Sequence, residues 1–136
     1  MNQPEVSRAR PGRRAEVVCR PRLAAEARDV AAAFLSGLEP VPPAVTRQSV
    51  LLLVSELVTN ALRHAGAITR LRLTAEGNRL RVQVDDPAPA RPWGRTPDLS
   101  GSTGGFGWHI ASRLADGITV WDRADGGKAV AATMPL

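Results

Sequence analysis

Glu56 and Asn60 lie four residues apart in the most strongly helical stretch of this 136-residue sequence, so a carboxylate and a carboxamide stack on one helix face. At about 100° per residue, Val50, Leu51, Leu53, Val54, Leu57, Val58, Ala61 and Leu62 fill one apolar arc, with Ser55, Thr59 and Arg63 opposite. Glu56 and Asn60 fall between the arcs, at the edge of a core, where both can reach a partly buried cavity. Asparagine inside a helix competes with the backbone for hydrogen bonds. Taken alone, the pair also fits a solvated glutamate beside an ordinary asparagine. A second feature is Asp86. Leu80, Val82 and Val84 alternate with Arg81, Gln83 and Asp85, which sends Asp86 to the apolar face and leaves Asp85 pointing outward as the bland member of the pair. An inward carboxylate needs a partner, either a ligand or the backbone of the turn that follows. The third feature is Gly101-Ser102-Thr103-Gly104-Gly105-Phe106-Gly107-Trp108, which runs into a helix. Its free N–H groups and the positive end of the helix dipole can hold an anion, although such a stretch is also compatible with a plain loop. It lacks the Lys-Ser/Thr of a Walker loop and the preceding strand of a Rossmann fingerprint.

The elements that must position these residues follow from periodicity and punctuation. The pattern predicts a mobile basic tail over residues 1–14 and a domain over 15–136. Within the domain it predicts a strand over Ala15–Arg20, stopped by Pro21, and a helix over Arg22–Leu38 whose apolar positions include Leu23, Ala27, Ala31, Phe34 and Leu35. A second helix spans Ala44–Ala65, closed by Gly66. Two alternating runs, Ile68–Ala75 and Arg79–Asp86, make a hairpin around Glu76-Gly77-Asn78. Pro87–Gly105 reads as a loop long enough to act as a lid. A third helix over Phe106–Ala115 and a closing hairpin of Ile118–Asp122 with Lys128–Met134 complete the chain. The expected class is α+β: a two-layer sandwich, its mainly antiparallel sheet covered on one face by helices.

Composition narrows the functions. The single cysteine, Cys19, excludes an internal disulfide and a thiolate metal cluster. No apolar run is long enough to span a bilayer, and the polar, Arg-rich start has no signal-peptide core, so a cytoplasmic location is expected. The formal net charge is +5, but six Arg against two Glu in residues 1–22 carry most of the excess. With no aromatic recognition pattern beside it, this charge does not make a nucleic-acid-binding face. Among the 18 basic residues, Lys128 is the only lysine.

The three features, in this order, resemble the GHKL, or Bergerat-fold, ATPase superfamily. Within it the chain is similar to small stand-alone histidine-kinase-like ATPase domains of the actinobacterial anti-sigma-factor serine kinase type. Ser55-Glu56-Leu57-Val58-Thr59-Asn60-Ala61, followed by His64, looks like the family's N-box helix. Val82-Gln83-Val84-Asp85-Asp86 looks like the first Gly-box strand, and Gly105-Phe106-Gly107-Trp108-His109-Ile110 like the second Gly box. Gly126-Gly127-Lys128 matches the closing hairpin, so the resemblance covers roughly residues 15–136.

That resemblance implies ATP and Mg²⁺ as cofactors. Asn60 would supply an oxygen to Mg²⁺. Glu56 would accept the proton of the attacking hydroxyl as general base. Asp86 would accept a hydrogen bond from the adenine amino group, which would explain an inward carboxylate without a cationic partner. Gly105 and Gly107 would let backbone N–H groups reach the phosphates. The activity implied is a regulatory serine/threonine protein kinase that is also an anti-sigma factor. Its partners would be a sigma factor and an anti-sigma antagonist that it phosphorylates, with a homodimer as the fitting assembly. The chain departs from the family where Pro87-Ala88-Pro89 replaces the glycines after the first-box aspartate. This departure favours the alternative, a contact-only binding module with weak or no nucleotide binding.

Overall fold

The computed structural model describes residues 5–7, 14–89 and 106–136. In chain order the elements are β1 (Glu5–Ser7), β2 (Ala15–Cys19), α1 (Ala24–Ser36), α2 (Ala44–Ala65), β3 (Arg70–Glu76), β4 (Arg79–Asp86), α3 (Phe106–Leu114), β5 (Gly117–Asp122) and β6 (Lys128–Pro135). The strands form one antiparallel sheet in the order β1-β2-β3-β4-β6-β5. Leu71 and Leu73 of β3, Leu80, Val82 and Val84 of β4, and Val130, Ala132 and Met134 of β6 share one face. They meet Ala27, Ala31 and Leu35 of α1 and Val50, Leu53, Val54, Leu57 and Val58 of α2 in a single core. This is the expected two-layer α+β sandwich. Fully burying each such leucine or valine contributes about 1.5–3 kcal/mol before entropy is counted.

Helix α2 has the bounds the sequence predicts. Gly66 stops it in the left-handed region at φ 76°, its N–H donating to the Leu62 carbonyl at 2.9 Å, a conformation that a side chain would strain. The β3–β4 turn places Gly77 at φ 60° for the same reason.

Two expectations about the edges change. The stretch read as a mobile tail contains β1, which pairs antiparallel with β2 through Val6↔Val17. Main-chain ladder bonds do not depend on a hydrophobic pattern, and three residues are too few to show one. Helix α1 begins at Ala24, and Leu23, expected on its buried face, is its N-cap and 64% exposed. Pro21 and the extended Leu23 backbone delay the first turn, so the apolar stripe starts with Ala27. Much of the long loop after Pro89, including its expected role as a lid, lies outside the described residues.

Candidate functional site

Helix α2 packs against β4 of the sheet and against α1 and α3. Asn60 is 9% exposed, and its Oδ1 has no hydrogen-bond partner. A buried carbonyl oxygen left unpaired costs about 1–3 kcal/mol, so the position favours a ligand that accepts its lone pair. Glu56, one turn earlier, is half-buried, and its carboxylate takes no hydrogen bond or ion pair among the described residues. Neighbouring α2 side chains are committed: Ser55 Oγ accepts a 3.0 Å hydrogen bond from Arg28 of α1. Ser55 therefore ties the two helices together.

Asp86 ends β4 on the core face and is 1% exposed. The sequence reading left it without a cationic partner, and the structure corrects this. Lys128 stands directly across from it in the β4–β6 ladder. The Lys128 ammonium donates to Asp86 Oδ1 at 3.0 Å and lies 2.9 Å from Oδ2. The partner was hidden because a strand pairing distant in sequence has no local signature. The Ala88 N–H also donates to Oδ1 at 3.0 Å, closing the turn over Pro87. Both uses of an inward aspartate are thus divided between its two oxygens. Oδ1 caps the turn and holds the lysine. Oδ2 sits in the field of the ammonium, yet no hydrogen bond reaches it.

The glycines of the closing turn make this pairing possible. Gly126 occupies φ 93°. Gly127 passes so close to β4 that a Cβ there would collide with the Asp86 carbonyl oxygen. The Gly127 N–H is held by Asp125 Oδ1 at 3.0 Å, and Lys128 follows at once. Gly126-Gly127-Lys128 therefore works as one device: a left-handed turn, a close approach and a cation.

Asp85 overturns the expectation of a bland outward residue. It faces away from the helices but is 1% exposed. Its Oδ2 accepts from Arg70 Nε at 3.1 Å and from Arg123 Nη1 at 2.7 Å, and its Oδ1 from Gln83 Nε2 at 2.9 Å. Arg81 in turn donates to Gln83 Oε1 at 2.8 Å and lies 5.6 Å from the centre of the Trp121 ring. Long side chains roof this face of the sheet, which strand alternation alone cannot show. Every acceptor of Asp85 is used, so its role is to hold the sheet.

Gly107 lies in the first turn of α3, and Gly105 lies outside the described residues. A separate cavity of about 500 Å³ opens at the C-terminal end of α2, lined by Arg20, Pro21, Arg22, Leu62 and Ile68. It contains none of the expected site residues. No group of His, Cys, Asp and Glu among the described residues could hold a metal by itself. Among those residues, no helix is long and apolar enough to cross a membrane.

The architecture is an α+β sandwich in which α2 carries the orphaned Asn60 Oδ1 and β4 ends in the buried Asp86–Lys128 ion pair. A family model, the histidine kinase-like ATPase domain, matches residues 17–134. The chain belongs to this family, of the GHKL type. Membership supports ATP binding and phosphotransfer or ATPase chemistry in general. A search of curated proteins finds no match.

Proposed function

We propose that this chain is a Mg-ATP-dependent regulatory serine/threonine protein kinase. In this reading it phosphorylates an anti-sigma antagonist and, as an anti-sigma factor, holds a sigma factor until that exchange. The observation that carries the ATP-binding part is the orphaned buried acceptor Asn60 Oδ1 on α2, in a chain whose β4 ends in the buried Asp86 carboxylate. Asn60 offers the hard oxygen that Mg²⁺ prefers, and its orphaned state fits that ion. Mg²⁺, when bound, neutralises phosphate charge. Asp86 Oδ2 accepts the exocyclic amine of the base, orienting the nucleotide from its far end. Glu56 stands one turn from Asn60 and takes the proton of the attacking hydroxyl at its carboxylate. Gly107, in the first turn of α3, would offer its backbone N–H to the phosphates, and the sequence motif assigns the same part to Gly105. Such a sparse set is sufficient because phosphoryl transfer depends mostly on positioning and charge neutralisation.

One observation favours the second reading, a contact-only regulator. The turn after Asp86 is built on Pro87 and Pro89 and is pinned by the Asp86 Oδ1 contact to Ala88. A stiff turn there limits adjustment to a base. Calorimetric titration of ATP, with and without Mg²⁺, on the folded protein and on Asp86→Asn separates the two. Mg-dependent micromolar binding that Asp86→Asn abolishes supports the kinase reading. Absence of saturable binding to the folded protein establishes the contact-only regulator.

A further inference from the structure

We propose that the cavity between the β2–α1 and α2–β3 connections is a second ligand site, which takes a small organic anion: a carboxylate on a short aliphatic chain. This site is separate from the nucleotide site and stands without it.

The cavity holds about 500 Å³, inside the roughly 300–1,000 Å³ range of small-molecule pockets. Arg20, Pro21 and Arg22, which lead from β2 to α1, line one wall. The last turn of α2 and the residues that lead to β3 line the other, from Leu62 to Ile68. Hydrogen bonds fix both walls. Pro21 is buried with a locked φ, and the Arg22 N–H donates to Glu26 Oε1 at 2.7 Å. Opposite, the Gly66 N–H holds the Leu62 carbonyl, and the Thr69 N–H donates to the Asp85 carbonyl at 2.8 Å, anchoring the chain as it enters β3. A Cβ on Gly66 would meet nothing within 4 Å, so this turn borders open space.

Helix geometry separates the cavity from Glu56 and Asn60. At about 100° per residue, Leu62 stands about 200° around α2 from Asn60 and about 120° from Glu56. The cavity thus opens on another side of the helix, and neither Asn60 nor Asp86 lines it.

The lining divides by chemistry. Ile68 is 2% exposed, and with Pro21, Leu62 and Ala67 it makes an aliphatic floor with no ring on which an aromatic ligand could stack. Arg20 and Arg22 are exposed and form a basic rim. Among the described residues the lining carries two guanidinium groups and no carboxylate. Arg63 and His64 add basic character to the last turn of α2, where the helix dipole is negative. A guanidinium fork pairs with both oxygens of a carboxylate, while the floor is covered only by an apolar chain. Inorganic phosphate lacks the chain and a hydrocarbon lacks the charge, so neither engages both parts.

The test is amide NMR of the full chain titrated with octanoate, with octan-1-ol, which lacks the charge, and with acetate, which lacks the chain. Octanoate is expected to shift the Arg22, Gly66, Ala67 and Ile68 amides saturably, with a Kd of about 1 mM or tighter. Octanol and acetate are each expected to bind at least about tenfold more weakly. Arg22→Gln and the double variant Arg20→Gln/Arg22→Gln alter exposed side chains, and circular dichroism checks their folding. Octanoate affinity is expected to fall about threefold in the first and about tenfold in the second. Octanol binding as tight as octanoate, or octanoate affinity unchanged in the folded double variant, overturns the anion site. So does the absence of saturable shifts at these amides in folded wild type. Loss of octanoate binding when ATP saturates the protein would merge the cavity with the nucleotide site and overturn its independence. Octanoate binding by a protein that takes no ATP removes the nucleotide reading and leaves the anion site standing.

Discussion

Asp85 and Asp86 are adjacent in sequence and equally buried, at 1% exposure, yet they are satisfied in opposite ways on opposite faces of the sheet. Asp85 has both oxygens occupied by Arg70, Arg123 and Gln83. Asp86 keeps Oδ2 without a hydrogen bond beside a single lysine. Asp85 is held by three side chains from three strands and turns, whereas Asp86 depends on one ammonium and one turn N–H.

Removing the structural member of this pair strands its partners. Asp85→Ala leaves the buried Gln83 Nε2 without its acceptor and removes the carboxylate shared by Arg70 and Arg123, of which Arg123 keeps Asp125. Because Arg70 and Arg123 are partly exposed, solvent offsets part of the loss, and about 2–3 kcal/mol of destabilisation is expected. Urea denaturation of the variant against wild type measures it; a change under 0.5 kcal/mol would show that the network contributes no net stability.

Gly127→Ala places a methyl group against the Asp86 carbonyl, where only backbone can give way. Overpacking of this kind costs about 1–3 kcal/mol. The expected variant melts at lower temperature and binds ATP more weakly, because β6 must retreat from β4 and carry Lys128 with it. Gly126→Ala supplies a comparison: strained at φ 93° but facing open space, it is expected to lower the melting point with a smaller effect on nucleotide.

Glu56 and Asn60 separate by what each variant spares. Glu56→Gln is expected to lower phosphoryl turnover by about 10²–10⁴-fold while ATP affinity changes little. Asn60→Ala is expected to abolish the difference between ATP affinities with and without Mg²⁺. Phosphate release and titration calorimetry on both variants provide the readouts. Normal turnover by Glu56→Gln would remove it as the base.

Cys19 is buried on β2, and burial, aided by the charge of Glu26, pushes its thiol up to about 11. The thiolate is the reacting form. At pH 8 the folded protein is therefore expected to react with iodoacetamide about a hundredfold more slowly than the urea-unfolded chain. The sign for stability follows. Folding favours the protonated thiol, so this contribution is complete below the thiol's ordinary range and is lost as pH rises through about 11. Equal alkylation rates for folded and unfolded protein would contradict the burial of Cys19.

Much of the fold is legible because its signals are local. The 3.6-residue stripe of α2 ends at a glycine that adopts φ 76°, and the alternation of β4 places Val82, Val84 and Asp86 on one face. Glu56 and Asn60 stand out because polar residues interrupt an otherwise apolar pattern. The errors lie where burial depends on residues far along the chain. Alternation assigns Asp85 to the outer face correctly, but it cannot show that Arg70 and Arg123, 15 and 38 positions away, cover it. Leu23 misleads because propensity does not specify where the first helical turn closes.

The sequence by itself determined the order of elements from β2 onward, the layer that α2 and β4 bury, and the residue types at the candidate site, since these depend on periodicity and on side-chain chemistry. Tertiary structure alone decided the state of those residues. The register of β4 with β6 sets Lys128 across from Asp86, and Gly127 permits the strands to come that close. Whether a polar atom is satisfied is a property of the partners within about 3 Å, and those partners come from pairing across the sheet rather than from neighbours in sequence.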